Sequence, residues 1–158
     1  IAFDLYKEGL VVLDVEQWTV KRYSRYSAPY VSLLAVNDEA VFVAHQDWEA
    51  GKTVSSVKIV DIRTGKSRFI PVPEWKMGVD GTVADTSVYQ PPFLVVDSGG
   101  TAYVIDINQE TLIHELDVSP SYSINAMAFS EDQRFFVTNS ADGFIRVWAV
   151  VPEDAPVK

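Results

Sequence analysis

Three observations predict an all-β repeat chain. An apolar strand run carrying an aspartate is written three times: VVLDV with Asp14, VKIVDI with Asp61 and YVIDI with Asp106. These aspartates stand 47 and 45 residues apart, and FIRVWAV puts Ala149 at the matching place 43 residues further on. Strand signals with a period of two dominate, and no helical 3.6-residue period accompanies them. A repeat in the mid-forties fits the ~40–45 residues of a four-stranded propeller blade. The expected architecture is therefore a β-propeller segment of about four antiparallel four-stranded blades.

The last unit shows the plan of one blade. SINAMAFS alternates apolar and polar residues, and Glu131-Asp132 makes a polar turn. RFFVTNS reads as a buried strand, Asp142-Gly143 as a hairpin turn and FIRVWAV as a third strand. Asp-Gly between strand-like runs is a strong hairpin signal, because glycine accepts positive φ without a Cβ clash. The third unit repeats the plan with TVADTSVY, PFLVVDS, the turn Ser98-Gly99-Gly100, TAYVIDI and TLIHELDV. The second runs YVSLLAVN, EAVFVAH, a long loop, SSVKIVDI and KSRFIPV. The first supplies IAFDLY, GLVVLDV and TVKRYS.

With strands labelled a to d from the axis outward, the first unit holds b, c and d, and the last holds a, b and c. The ranges are 1–24 for a partial blade, 25–72 and 73–118 for whole blades, and 119–150 for a blade lacking its outer strand. Residues 151–158, VPEDAPVK, read as an exit tail, since prolines and acids end a sheet. The two ends do not complement each other. The expectation is the C-terminal part of a larger seven- or eight-bladed ring, its remaining blades supplied by the same or another chain. The absence of an initiator Met points the same way, to a start further upstream.

The awkward aspartate has a physical reading. Strand c is covered on both faces, so it is apolar until the sheet twists away at the turn to strand d. There a carboxylate can accept turn amide hydrogens. Asp14, Asp61 and Asp106 are read as turn anchors of this kind, and Asp142 as the cap of a b–c turn.

Composition narrows the classes. Hydrophobic residues make up 47% and charged residues 22% of 158, the balance of a soluble globular domain with a real core. No apolar run reaches the ~20 residues that span a bilayer, and no signal peptide is visible at the N-terminus. Thirteen Lys and Arg against 22 Asp and Glu give −9, which repels duplex nucleic acid because binding there needs clustered cations. Lys21, Arg22 and Arg25 interleaved with Tyr23, Tyr26 and Tyr30 have the composition of a single-strand binder, but read more simply as a strand end and solvated loop. Without cysteine there is no disulfide or thiolate chemistry.

Catalytic and metal motifs are not found. His45 and His114 fall on strands of different blades, each alone, where a structural role is expected rather than metal ligation. DSGG, from Asp97 to Gly100, lies where a b–c hairpin belongs and lacks the histidine and oxyanion context of a nucleophile. Asp80 and Asp85 lack metal-loop spacing. The expectation is no enzyme, no metal and no cofactor.

The last unit resembles a WD repeat. AFSEDQRFF is similar to the family's a–b turn, and SADGFIRVW to its ending on strand c. The resemblance implies that Asp142 is the turn aspartate, Trp148 the strand c tryptophan and Ser140 the strand b hydroxyl of a hydrogen-bonded tetrad. The tetrad's histidine falls near Pro120 and its final aspartate is replaced by Ala149, so the tetrad is incomplete. The other units put Leu13, Val60 and Ile105 where the tryptophan stands. FVTNSADG with VIDINQETLIHELDV also resembles YVTN-type propeller repeats of surface and secreted proteins. Both resemblances span roughly the whole chain and are strong over its last third.

In propellers the b–c and d–a loops share one face. On that face the sequence collects Arg25, Tyr26, Trp48, Trp75, Lys76, Met77 and Tyr122, and the inserted loops HQDWEAGKTV and VPEWKMGVDG each bring one tryptophan. Exposed aromatic and methionine side chains anchor protein interfaces, although each tryptophan can equally fold down over its own blade. The WD-like resemblance implies a non-catalytic, cytoplasmic or nuclear interaction scaffold for a protein or peptide, with no membrane role. The alternative is part of a secreted or periplasmic enzyme, or of a cofactor- or glycan-binding propeller, with its active groups on other blades.

Overall fold

A computed structural model of the chain describes residues 2–5, 9–14, 16–22, 30–49, 52–73, 75, 86–119 and 123–149. Fourteen strands and no helix occur among them. The first sheet holds β1 (Ala2–Leu5), β2 (Gly9–Asp14) and β3 (Thr19–Arg22). The second holds β4 (Tyr30–Val36), β5 (Ala40–Glu49), β6 (Lys52–Asp61) and β7 (Ser67–Val72). The third holds β8 (Thr86–Gln90), β9 (Phe93–Ser98), β10 (Thr101–Asp106) and β11 (Thr111–Asp117). The fourth holds β12 (Ile124–Phe129), β13 (Phe135–Ser140) and β14 (Ile145–Ala149). Every sheet is an antiparallel meander in chain order, which gives the expected plan of three, four, four and three strands.

The sheets follow one another through their inner strands. β1 lies beside β4, β4 beside β8, and β8 beside β12. The repeat register makes β1 a second strand, yet it occupies this inner row. Two inner strands carry register shifts, between Leu33 and Ala35 and between Ile124 and Ala126. Such bulges bend a strand and raise its twist.

The alternation of strand residues explains why the middle strands are apolar throughout. On β9, Leu94 and Val96 pack toward the second sheet with Phe42, Ala44, Val57, Ile59, Tyr103 and Ile105. Val95 faces the other way and packs with Ala102, Ile124 and Phe136 of the seam with the fourth sheet. Successive side chains point to opposite faces, so a strand between two neighbours must be apolar at both. β14 has a covered face on one side only, and its burial alternates accordingly. Its uncovered residues Ile145 and Val147 are 71% and 63% exposed.

One expectation is corrected here. HQDWEAGKTV was expected to be an inserted loop, but β5 and β6 continue as paired arms, with Gln46 opposite Ser55, Asp47 opposite Val54, Trp48 opposite Thr53 and Glu49 opposite Lys52. The arms lack an alternating apolar pattern: at their base Gln46 and Ser55 are buried, and the Gln46 amide donates to the Ser55 hydroxyl at 3.4 Å. Backbone pairing continues the ladder beyond that polar contact.

Candidate functional site

The turns at one end of the sheets are fastened by their aspartates. Asp61 accepts hydrogen bonds from the Thr64 amide at 2.6 Å and the Thr64 hydroxyl at 2.8 Å. These bonds, the amide first, hold its carboxyl below the usual range. Asp106 accepts from the amides of Asn108 and Gln109 at 2.8 and 2.9 Å. Asp14 ends β2 opposite Thr19, and its side chain lies outside the described residues. Four positions after each aspartate the backbone turns left-handed, at Trp18 (φ 52°), Gly65 (φ 72°) and Glu110 (φ 55°). One turn is thus built three times from three different sequences.

The opposite end carries the b–c and d–a loops. Asp142 accepts from the Ser140 hydroxyl at 2.6 Å, the Phe144 amide at 3.0 Å and the Arg146 guanidinium at 2.6 Å. The Ser119 hydroxyl reaches it at 3.2 Å from the preceding d–a loop. The Arg146 hydrogen bond, then the Ser140 hydroxyl, hold this carboxyl far below the usual carboxylate range, and Asp142 in return raises Arg146. Gly143 sits at φ 85° with open space where a Cβ would point. Glycine here meets a backbone requirement and not a packing one.

The tetrad implied by the WD resemblance is rearranged. The Trp148 indole donates to the Thr138 hydroxyl at 3.3 Å, not to Ser140. Ser140 instead receives Arg146 at 2.9 Å and donates to Asp142. Arg146 and Ser119 complete the network for which the family uses histidine.

Trp75 is the second correction. It was a candidate partner anchor, but only 2% of it is exposed. Its indole donates to the His45 carbonyl at 3.2 Å and its amide to the Ser55 hydroxyl at 3.0 Å. The ring meets Tyr103 edge-on at 5.5 Å. It is a plug between the second and third sheets. Trp48 lies on the projecting arm of β5, its side chain outside the described residues. Arg25, Tyr26, Lys76, Met77 and Tyr122 lie outside them altogether.

Three features escaped sequence reasoning. Asp97 is fully buried, and its two oxygens serve two sheets: one accepts the Gly100 amide at 3.0 Å, the other the Ile124 amide at 3.1 Å. Its position just before a Gly-Gly turn was the available signal. Phe144 is 64% exposed beside the Asp142 turn, with the Arg146 guanidinium 5.4 Å from its ring centre. Val54, on the projecting hairpin, is 40% exposed. His45 packs edge-on against Phe69 at 5.5 Å, and His114 lies on the outer strand β11. Among the described residues no three His, Asp or Glu side chains are grouped to hold a metal ion.

No protein-family model and no curated protein sequence matches the chain. Solved structures do. The β-propeller domain of Cps50 (Swd1) from Myceliophteria thermophila aligns with a TM-score of 0.54 at 18% identity, over 94% of this chain and 50% of that one. Dihydro-heme d1 dehydrogenase NirN, solved in complex with DHE, aligns with a TM-score of 0.59 at 14% identity, over 90% of this chain and 31% of that one. The chain spans half or less of the length of either. At these identities the likeness is one of fold, and with the four meandering sheets it shows a partial β-propeller.

Proposed function

We propose that the propeller is a non-catalytic scaffold that takes a protein or peptide partner on the face formed by its b–c and d–a loops. One observation carries the reading: apolar side chains stand exposed on hairpins whose backbone is tied down. Phe144 projects from the turn fastened by Asp142, and Val54 from the paired arms of β5 and β6. An aromatic ring beside an arginine on a fixed turn is the chemistry of an interface anchor, because little side-chain or backbone freedom is lost on contact. The third b–c hairpin differs: Ser98, Gly100 and Thr101 are buried there. That contrast concentrates the contact on the second and fourth blades.

The test is Phe144→Ala and Val54→Ser, compared for melting midpoint and for binding to a partner crosslinked to the native protein. The expected result is a loss of roughly tenfold or more in affinity for Phe144→Ala, as for a truncated aromatic anchor, with the midpoint little changed. Unchanged affinity in both variants removes the loop face as the site. A visible absorption band in the native protein would instead favour an enzyme or cofactor-binding propeller.

A further inference from the structure

Trp18 breaks two rules at once. It is 78% exposed, and it holds a left-handed backbone conformation at φ 52°. A bulky residue there costs conformational energy that glycine would not, and its indole buries little surface in return. The two equivalent positions show how this place in the turn is used. Gly65 has no side chain. Glu110 of the third sheet reaches back to the second sheet and pairs with Arg68 Nε at 2.5 Å. Arg68 lies on the outer strand β7, which packs beside β11. In the one equivalent turn that carries a side chain at the left-handed position, that side chain lands on the outer strand of the blade before it.

Transferred to the first sheet, the same geometry sends Trp18 toward a blade preceding β1–β3. We infer that Trp18 is an interblade anchor, and that its partner is the outer strand of a preceding four-stranded blade. The contact falls seven residues after that blade's own turn aspartate, the place that Arg68 takes after Asp61 and Lys21 after Asp14. A basic residue there would lie against the indole face, as cations do over tryptophan; an apolar one would pack on it. This surface is at the opposite end of the sheets from Phe144 and Val54. Its failure and that of the loop-face reading are therefore separate events.

The test is Trp18→Gly, with Trp18→Phe beside it, in the native full polypeptide or complex that contains these blades. If the indole has no partner, glycine relieves both the backbone conformation and the exposed ring, and the melting midpoint rises or stays. If it anchors a blade, Trp18→Gly lowers the midpoint by roughly 5 °C and Trp18→Phe recovers part of the loss. A photoreactive benzoylphenylalanine at position 18 gives the second readout. The expected adduct maps to a strand directly following an aspartate-led turn of another blade. No adduct, an adduct within residues 1–24, or one on a protein without such a sheet overturns the assignment.

Discussion

At the scale of single residues, one carboxylate fixes a whole hairpin end. Asp142 gathers a serine hydroxyl, an amide and a guanidinium of its own blade, and a second serine from the loop before it. Its folded pKa is depressed, so its stabilisation is complete above the unfolded value and is lost as pH falls toward the folded one. Asp61 and Asp132 have the same sign. The melting midpoint should therefore hold from neutral pH to about pH 5 and fall below about pH 4. Asp142→Asn should melt lower than the natural protein at pH 7, and the gap should narrow in acid. An equal gap at pH 7 and in acid would show that the charge is not the source. The role of Asp142 was legible in the sequence because Asp-Gly between two strand runs has few other readings. The partner Ser119 was not, since its approach depends on how two blades meet, and Arg146 reaches Asp142 from the neighbouring strand of the same hairpin without a motif that marks it.

At the scale of elements, the strands were readable wherever an apolar run or an apolar–polar alternation stood between turn residues. β9, β10 and β13 stand where their apolar runs put them. The arms of β5 and β6 were missed because backbone hydrogen bonds extend a hairpin without leaving a hydrophobic pattern. Trp75 was missed for a related reason. A tryptophan in a connecting loop has no periodicity to show which way it turns, and this one turns inward onto Tyr103 and the His45 carbonyl. Trp75→Ala should then cost about 3–5 kcal/mol, as for a large buried aromatic, read by urea denaturation. It should leave partner affinity unchanged once folding is accounted for. A stable Trp75→Ala protein with weakened binding would return this residue to the interface.

At the scale of the whole molecule, the apolar surface is distributed unevenly. Six of the ten exposed large hydrophobic residues among those described belong to the first and last repeats: Trp18, Val20, Phe135, Phe144, Ile145 and Val147. Repeat units are stabilised by burying such faces against neighbours, and uncovered ends reduce solubility. Residues 1–158 alone are expected to self-associate or aggregate, with contacts on the first repeat and on β12–β14, as light scattering would show. A monodisperse monomer that melts cooperatively would mean that four blades suffice. Where blades do meet, Asp97 marks the seam. Its carboxylate takes the Ile124 amide from across the boundary between two sheets. That bond is lost when the β12 end frays or when the third and fourth blades part. Exchange of the Ile124 proton, compared with that of amides inside β9 and β13, would therefore report opening at the blade boundary apart from the unfolding of either blade.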